Sequence, residues 1–222
     1  MKAHTPPKRP NLFVVGAMKS GTTTLAAYLD RHPAISVSDP KEPCYFVDPD
    51  ILREHWYSMW ARRYWASENA YLNLFEGSDT THYWCDASTA YAKRPDIEGV
   101  AEKIRSYEPD ARIIYVMREP GIRAISHYWH AFRTGEETRA MAEAILADGS
   151  AYLAYGRYPM QIAPYLRAFG HERVCLLVAE RLNAAPVTVM NQVFRWLDLT
   201  PVAARHLPPI RAHATPTIAE NP

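Results

Sequence analysis

The sequence is poor in cysteine: Cys44, Cys85 and Cys175 are an odd number, far apart, and none belongs to a CxxC pair. A disulfide framework or a zinc site is therefore excluded as the organising constraint, and a reducing compartment is expected. Long apolar runs are missing too. The stretch Leu12–Met18 ahead of Lys19 is too short for a signal peptide with its cleavage site and far too short to span a bilayer. No charge of one sign dominates, since 25 Lys and Arg stand against 24 Asp and Glu, for a net +1. Without a concentrated basic face, non-specific nucleic-acid binding is excluded, although a local anion pocket is not. The chain shows no internal repeat and no low-complexity tract. The expectation is a cytoplasmic protein with neither membrane nor nucleic-acid partners. Its 222 residues suit one domain, which buries roughly 70% of the surface exposed when unfolded.

What is present reads as strands alternating with helices. Residues 1–10 form a polar, proline-bearing tail, expected to be mobile. Asn11–Ala17 is a short apolar run of the kind found in a strand buried on both faces. From Thr22 the period changes: Leu25, Tyr28, Leu29 and His32 share a helix face, and the helix stops at Pro33. Ala111–Met117 and Arg173–Val178 are two further buried-strand candidates. Pro120 is placed as the first residue of the helix after the former. Around the latter lie two helices that begin after prolines, one burying Ile162, Tyr165, Leu166 and Phe169, the other Met190, Val193, Phe194 and Leu197. Asp50–Ala66 reads as a helix, while the rest of 36–92 has no clear place. The pattern predicts an α/β, P-loop-like three-layer fold with a central parallel sheet flanked by helices. A single domain over 11–205 and an irregular segment over 206–222 complete the plan.

Gly16-Ala17-Met18-Lys19-Ser20-Gly21-Thr22-Thr23-Thr24 lies between the first strand and the first helix. Such a loop aims successive backbone N–H groups and the positive end of the helix dipole at one spot. The threonines add hydroxyls and Lys19 adds a charge, so an anion site is expected here. The NTPase fingerprint GxxxxGK[ST] is not met, because Thr22 stands where its lysine belongs. The evident neighbouring strand runs out into Arg118, not into the carboxylate that would hold Mg²⁺. A nucleotide other than Mg-ATP is indicated.

The segment Lys19–Leu25, KSGTTTL, resembles the 5′-phosphosulfate loop of sulfotransferases dependent on 3′-phosphoadenosine 5′-phosphosulfate (PAPS). Arg118-Glu119-Pro120-Gly121-Ile122-Arg123-Ala124-Ile125-Ser126 resembles their 3′-phosphate segment, and Tyr158–Leu199 is similar to that family as well. The resemblance implies that Lys19, Ser20, Gly21, Thr22, Thr23 and Thr24 hold the phosphosulfate end of PAPS. It implies that Arg118 and Ser126 hold the 3′-phosphate, with adenosine 3′,5′-bisphosphate (PAP) as product and no metal. Arg123 is expected to be structural or solvent-facing. Lys41-Glu42-Pro43-Cys44-Tyr45-Phe46 resembles the K-E-P-x-x-F segment of heparan-sulfate-type and related bacterial sulfotransferases. That implies Glu42 as general base, Lys41 tuning it, and Lys19 stabilising the leaving phosphate; Cys44 departs from the histidine of many relatives. His82 and His127 are the rival bases.

The acceptor is expected to be a carbohydrate or small molecule. Trp56, Trp60 and Tyr64 recur every four residues, either as a core-facing stripe or as an acceptor wall, and His82–Asp86 is placed along the same cleft. Residues 200–222 hold no glycine or lysine, unlike the basic, glycine-bearing loop that closes over the nucleotide in relatives. Arg211 and His213 are the substitutes on offer. Two alternatives stand beside sulfuryl transfer: a P-loop kinase or phosphotransferase, and a non-catalytic nucleotide-binding protein.

Overall fold

The structure is a computed structural model that describes residues 9–208 and residue 210. Most of the N-terminal tail, and Arg211 and His213, lie outside the described residues. Five strands, β1 (Leu12–Gly16), β2 (Ile35–Val37), β3 (Tyr83–Asp86), β4 (Arg112–Met117) and β5 (Val174–Val178), form one sheet in the order β2-β3-β1-β4-β5. Every pairing is parallel, with Phe13 opposite Asp86 on one side and Ile113 on the other. The three strands expected from the sequence lie within a residue of their expected ends. β2 and β3 were not expected: three and four residues carry too little pattern to read.

Side-chain alternation along the strands divides the core in two. Phe13, Val15, Ile113 and Tyr115 pack against α2 (Val100–Tyr107) and α4 (Tyr158–Phe169). Leu12, Val14, Ile114 and Val116 pack on the opposite face against α1 (Thr22–Leu29) and α5 (Pro186–Trp196). All eight strand residues are fully buried, which is why these segments read as unbroken apolar runs. The expected faces of α4 and α5 are the buried ones, except that Leu166 is only partly covered. A smaller cluster joins α3 (Pro120–Thr134) to residues 141–154.

The long helix expected over Asp50–Ala66 is corrected. It is broken into Pro49–His55, Tyr57–Ala61 and a 3₁₀ turn at Tyr64–Ala66. Trp56 leaves the helical region (φ −140°, ψ 61°) and Arg63 takes a left-handed conformation (φ 58°). Trp56, Trp60 and Tyr64 therefore do not share one helix face, because an i, i+4 relation survives only while the backbone stays helical.

Candidate active site

β1 ends at Gly16, where a side chain cannot fit: a Cβ would lie 2.7 Å from Tyr115 Cε2. The chain then turns back, with Ala17 N–H donating to Val116 O at 2.8 Å and Ser20 N–H to Ala17 O at 3.1 Å. Lys19 (φ 65°) and Gly21 (φ 86°) adopt left-handed backbone. Gly21 caps α1 and has no side chain to accept from the first-turn amides, which leaves them for an outside anion. Ser20, Thr22 and Thr24 are buried and Thr23 is exposed.

Arg118 follows β4 and reaches the same loop, its Nη1 donating to Lys19 O at 3.3 Å. Tyr158 fixes its backbone, accepting from Arg118 N–H at 3.2 Å and donating to Arg118 O at 2.6 Å. No carboxylate pairs with Arg118 among the described residues. Glu119 is occupied as the cap of α3, accepting from Gly121 and Ile122 N–H at 2.9 and 2.5 Å. Ser126 is buried within α3. Arg123 is wholly buried and donates to Tyr152 O, so of its two expected places the interior one is correct. Burial lowers the pKa of Lys19, and Arg133 and Arg118 lower it further against the opposing charge of Glu42.

Glu42 comes from the connection between β2 and β3. Lys41 Nζ donates to its Oε1 at 3.2 Å, and Thr89 Oγ1 lies 3.2 and 3.1 Å from its two oxygens. Burial pushes the Glu42 carboxyl up. The charges of Lys41 and Lys93, with the hydrogen bonds from Lys41 and Thr89, outweigh it and hold the group below the ordinary range. Glu42 (φ 63°) and Cys44 (φ 55°) flank Pro43 in left-handed conformations.

β3 ends in Asp86, fully buried, which accepts from Tyr71 Oη at 2.8 Å, Tyr91 Oη at 2.7 Å and Ser88 Oγ at 2.6 Å. A carboxylate does therefore close a strand beside β1, contrary to the sequence-based expectation. Its oxygens are engaged by three hydroxyls.

Of the rival histidines, His82 precedes β3 at the opposite end of the sheet from the loop, its N–H bonded to Ala34 O. That removes it from the site. His127 is buried between Tyr152 and Tyr155, with ring centroids 4.6 and 5.6 Å away. Burial, with Arg123, Lys93, His130 and Lys19 nearby, lowers its pKa to about 3. The segment His82–Asp86 is strand β3, and only its last residue reaches the site end, which corrects its placement along the cleft.

Sequence reading missed Thr89, Lys93 and His130. Lys93 is buried with Nζ 4.0 Å from the Trp56 ring centroid, and it feels Glu42 as its largest raising charge. Burial, then Lys19 and Lys93, lower the pKa of His130 against the opposing charges of Glu136 and Glu42. The spacing of Lys19 and His130 gives no hint of this; only the sheet order brings them together. Beside the Glu42 segment, Tyr45, Phe46, Trp65, Lys103 and Tyr107 line an open hollow of about 660 Å³.

The sequence profile of the Sulfotransferase family matches residues 10–203. Bifunctional heparan sulfate N-deacetylase/N-sulfotransferase 1 of Caenorhabditis elegans is 25% identical over 201 residues, covering 86% of this chain and 22% of that protein. Bifunctional heparan sulfate N-deacetylase/N-sulfotransferase 3 of Mus musculus is 26% identical over 216 residues, with 90% and 23% covered. The chain thus spans less than a quarter of the length of these curated relatives. Among solved structures, a sulfotransferase from Alicyclobacillus acidocaldarius superposes with a TM-score of 0.75 at 31% identity, covering 87% of this chain and 82% of that one. Mouse sulfotransferase SULT7A1 complexed with PAP shares the fold at 14% identity, with a TM-score of 0.53 and 89% and 62% covered. No helix among the described residues is long and apolar enough to cross a membrane. A profile that runs through all five strands, and a solved relative alike over most of both chains, give the phosphate-type loop its context: the chain belongs to the sulfotransferase family.

Proposed function

We propose that the chain transfers a sulfuryl group from PAPS to a hydroxyl or amine of a carbohydrate or small-molecule acceptor, with Glu42 as general base. The observation that carries this reading is the meeting of Lys19, Arg118 and Glu42. They come from separate strand ends, Arg118 bonded to the loop of Lys19 and Glu42 electrostatically coupled to Lys19. Open α/β sheets bind ligands at such a place, outside the carboxyl ends of the strands where the order reverses, here around β1.

The division of labour follows from charge. The amides of residues 20–24 and the Lys19 ammonium hold the phosphosulfate end, while the Arg118 fork and the Ser126 hydroxyl hold the 3′-phosphate. Glu42, ionised at neutral pH, takes the proton of the attacking hydroxyl or amine as the acceptor–sulfur bond forms. The sulfur–oxygen bond to the phosphate breaks, and its electron pair stays on the departing oxygen. Lys19 meets that charge. Its lowered pKa also brings it nearer to giving up a proton there. Losing such a donor typically reduces rate by about 10²–10³. The names of the curated relatives, heparan sulfate N-sulfotransferases, support an amine-bearing carbohydrate as the first acceptor to test.

The kinase reading is disfavoured by Thr22 at the lysine position and by Arg118 after β4. Asp86, the carboxylate at the end of β3, is occupied by Tyr71, Tyr91 and Ser88. Calorimetry with PAP and with ATP, each with and without Mg²⁺, separates the two. We expect magnesium-independent binding of PAP; tight binding of Mg-ATP in its place would reinstate the kinase. Glu42→Gln should keep PAP affinity and lower transfer of labelled sulfate to N-desulfated heparin or a phenol panel by about 10²–10⁴. A Gln variant at full rate would remove Glu42 from the chemistry.

A further inference from the structure

The backbone around Glu42 is costly to hold. Glu42 and Cys44 both sit at positive φ without being glycine, and such strained residues persist only where their surroundings over-determine them. A proline lies between them, so the strain cannot relax by shifting the turn along the chain. Something outside the segment must fix it.

The three residues whose hydroxyls bind Asp86 each contact one residue of this segment, Ser88 and Tyr91 through the hydroxyl and Tyr71 through its ring. Ser88 Oγ donates to Asp86 Oδ1 and accepts the N–H of Cys44 at 3.0 Å. Tyr91 Oη donates to Asp86 Oδ2 and accepts the N–H of Phe46 at 3.5 Å. Tyr71 Oη donates to Asp86 Oδ2, and its ring stacks on Tyr45 with centroids 4.2 Å apart and planes 2° from parallel. Thr89, next to Ser88, bonds the Glu42 carboxylate itself. Because an ionised carboxylate only accepts, it fixes the direction of all three hydroxyl protons and leaves the lone pairs of Ser88 and Tyr91 for the amides of the segment. Asp86, Ser88, Tyr71 and Tyr91 are each no more than 2% exposed, so water cannot substitute for any of these bonds.

We propose that Asp86 is the positioning residue for Glu42: a buried carboxylate hub whose partners Ser88, Tyr71 and Tyr91 clamp Cys44, Tyr45 and Phe46, two by hydroxyl and one by ring, and thereby hold Glu42 against Thr89 and Lys41. This rests on the reading of Glu42 as the base, but it is tested without turnover. In Asp86→Asn and in Ser88→Ala, amide hydrogen exchange at Cys44 should rise about tenfold or more, while exchange in β1 and β4 stays put. In the same variants the Glu42 carboxyl, followed by carbon NMR, should titrate closer to its ordinary range as it leaves Lys41 and Thr89. Tyr83→Phe, which removes a hydroxyl on the same strand bonded instead to Leu197 O, should move neither signal. PAP affinity should survive throughout, because Lys19 and Arg118 are held by β1 and β4.

If Asp86→Asn fails to fold, Ser88→Ala carries the test alone. Unchanged Cys44 protection or unchanged Glu42 titration in the folded variants would overturn the proposal. A fully active Glu42→Gln enzyme would instead overturn the base, leaving the clamp measurable in its own right.

Discussion

At the scale of the residue, the candidate site rests on Lys19 and Arg118, which form no ion pair with a carboxylate among the described residues and so have charge to spare for a ligand. Arg118 is the clearest, since Glu119 beside it is taken up by the cap of α3. Arg118→Ala should weaken PAP binding by about 10- to 150-fold, the loss of a charge-assisted bond of about 1.5–3 kcal/mol. It should leave adenosine 5′-phosphate, which lacks the 3′-phosphate, nearly untouched. Equal losses for the two ligands in calorimetry would mean that the guanidinium grips something else. The placement of Lys19 and Arg118 beside one another was legible from sequence because Arg118 directly follows one buried apolar strand and Lys19 lies in the loop after another. Lys93 and His130 were not, because they lie in segments whose local pattern carries no sign of what the sheet order places opposite them.

At the scale of the element, the close approach of β1 to β4 is what shapes the loop. Gly16 is required by packing: Tyr115 Cε2 and Ala92 Cβ would stand 2.7 and 3.1 Å from an added methyl. Gly16→Ala must displace the buried Tyr115 ring, and overpacking of this kind typically destabilises by about 1–3 kcal/mol. Gly21→Ala meets open space and suffers only from its positive φ, about 1–2 kcal/mol. Denaturant unfolding of the pair should show both destabilised, with PAP affinity lost more in Gly16→Ala, where the strand end itself moves. A Gly16→Ala variant with wild-type stability would refute the packing argument. Helices α1, α4 and α5 were readable from period, the three strands from their apolar runs and the start of α3 from Pro120, whereas α2 was not read. The broken helix around Trp56 was not, because aromatic spacing cannot report a backbone that leaves the helical region between two turns. Asp86, expected only along the acceptor cleft, went unread as a strand end for a related reason: a strand of four residues, with its carboxylate at the last, offers too little alternation to announce itself.

At the scale of the whole molecule, two buried groups pull stability in opposite directions with pH. His127 is held down to about 3 against an ordinary value near 6.5, so its contribution is complete above pH 6.5 and is lost as pH falls toward 3. The slope is about 1.4 kcal/mol per unit. Asp86 is pushed up by burial to about 6, against the lowering effect of its hydroxyl donors. Its contribution is complete below the ordinary carboxylate range near pH 4 and is lost as pH rises through about 6, a change of about 3 kcal/mol. Between pH 4 and 6 the two slopes offset one another. Relative to His127→Gln, the wild type should lose stability on acidification below pH 6.5. Relative to Asp86→Asn, it should lose stability on raising pH from 4 to 6.5. Urea unfolding across that range checks both, and two parallel stability curves would show that neither group titrates as the structure requires.

The strand order also has a consequence for how new specificities arise. On the proposed reading the donor is gripped from the ends of β1 and β4 and from α3, whereas Glu42, Trp56 and the hollow lined by Tyr45 and Trp65 all lie close to or within residues 38–82, the irregular connection between β2 and β3. On that reading, a lineage could exchange that connection beyond the Glu42 segment and inherit a different customer molecule while keeping both its base and its sulfate supply intact.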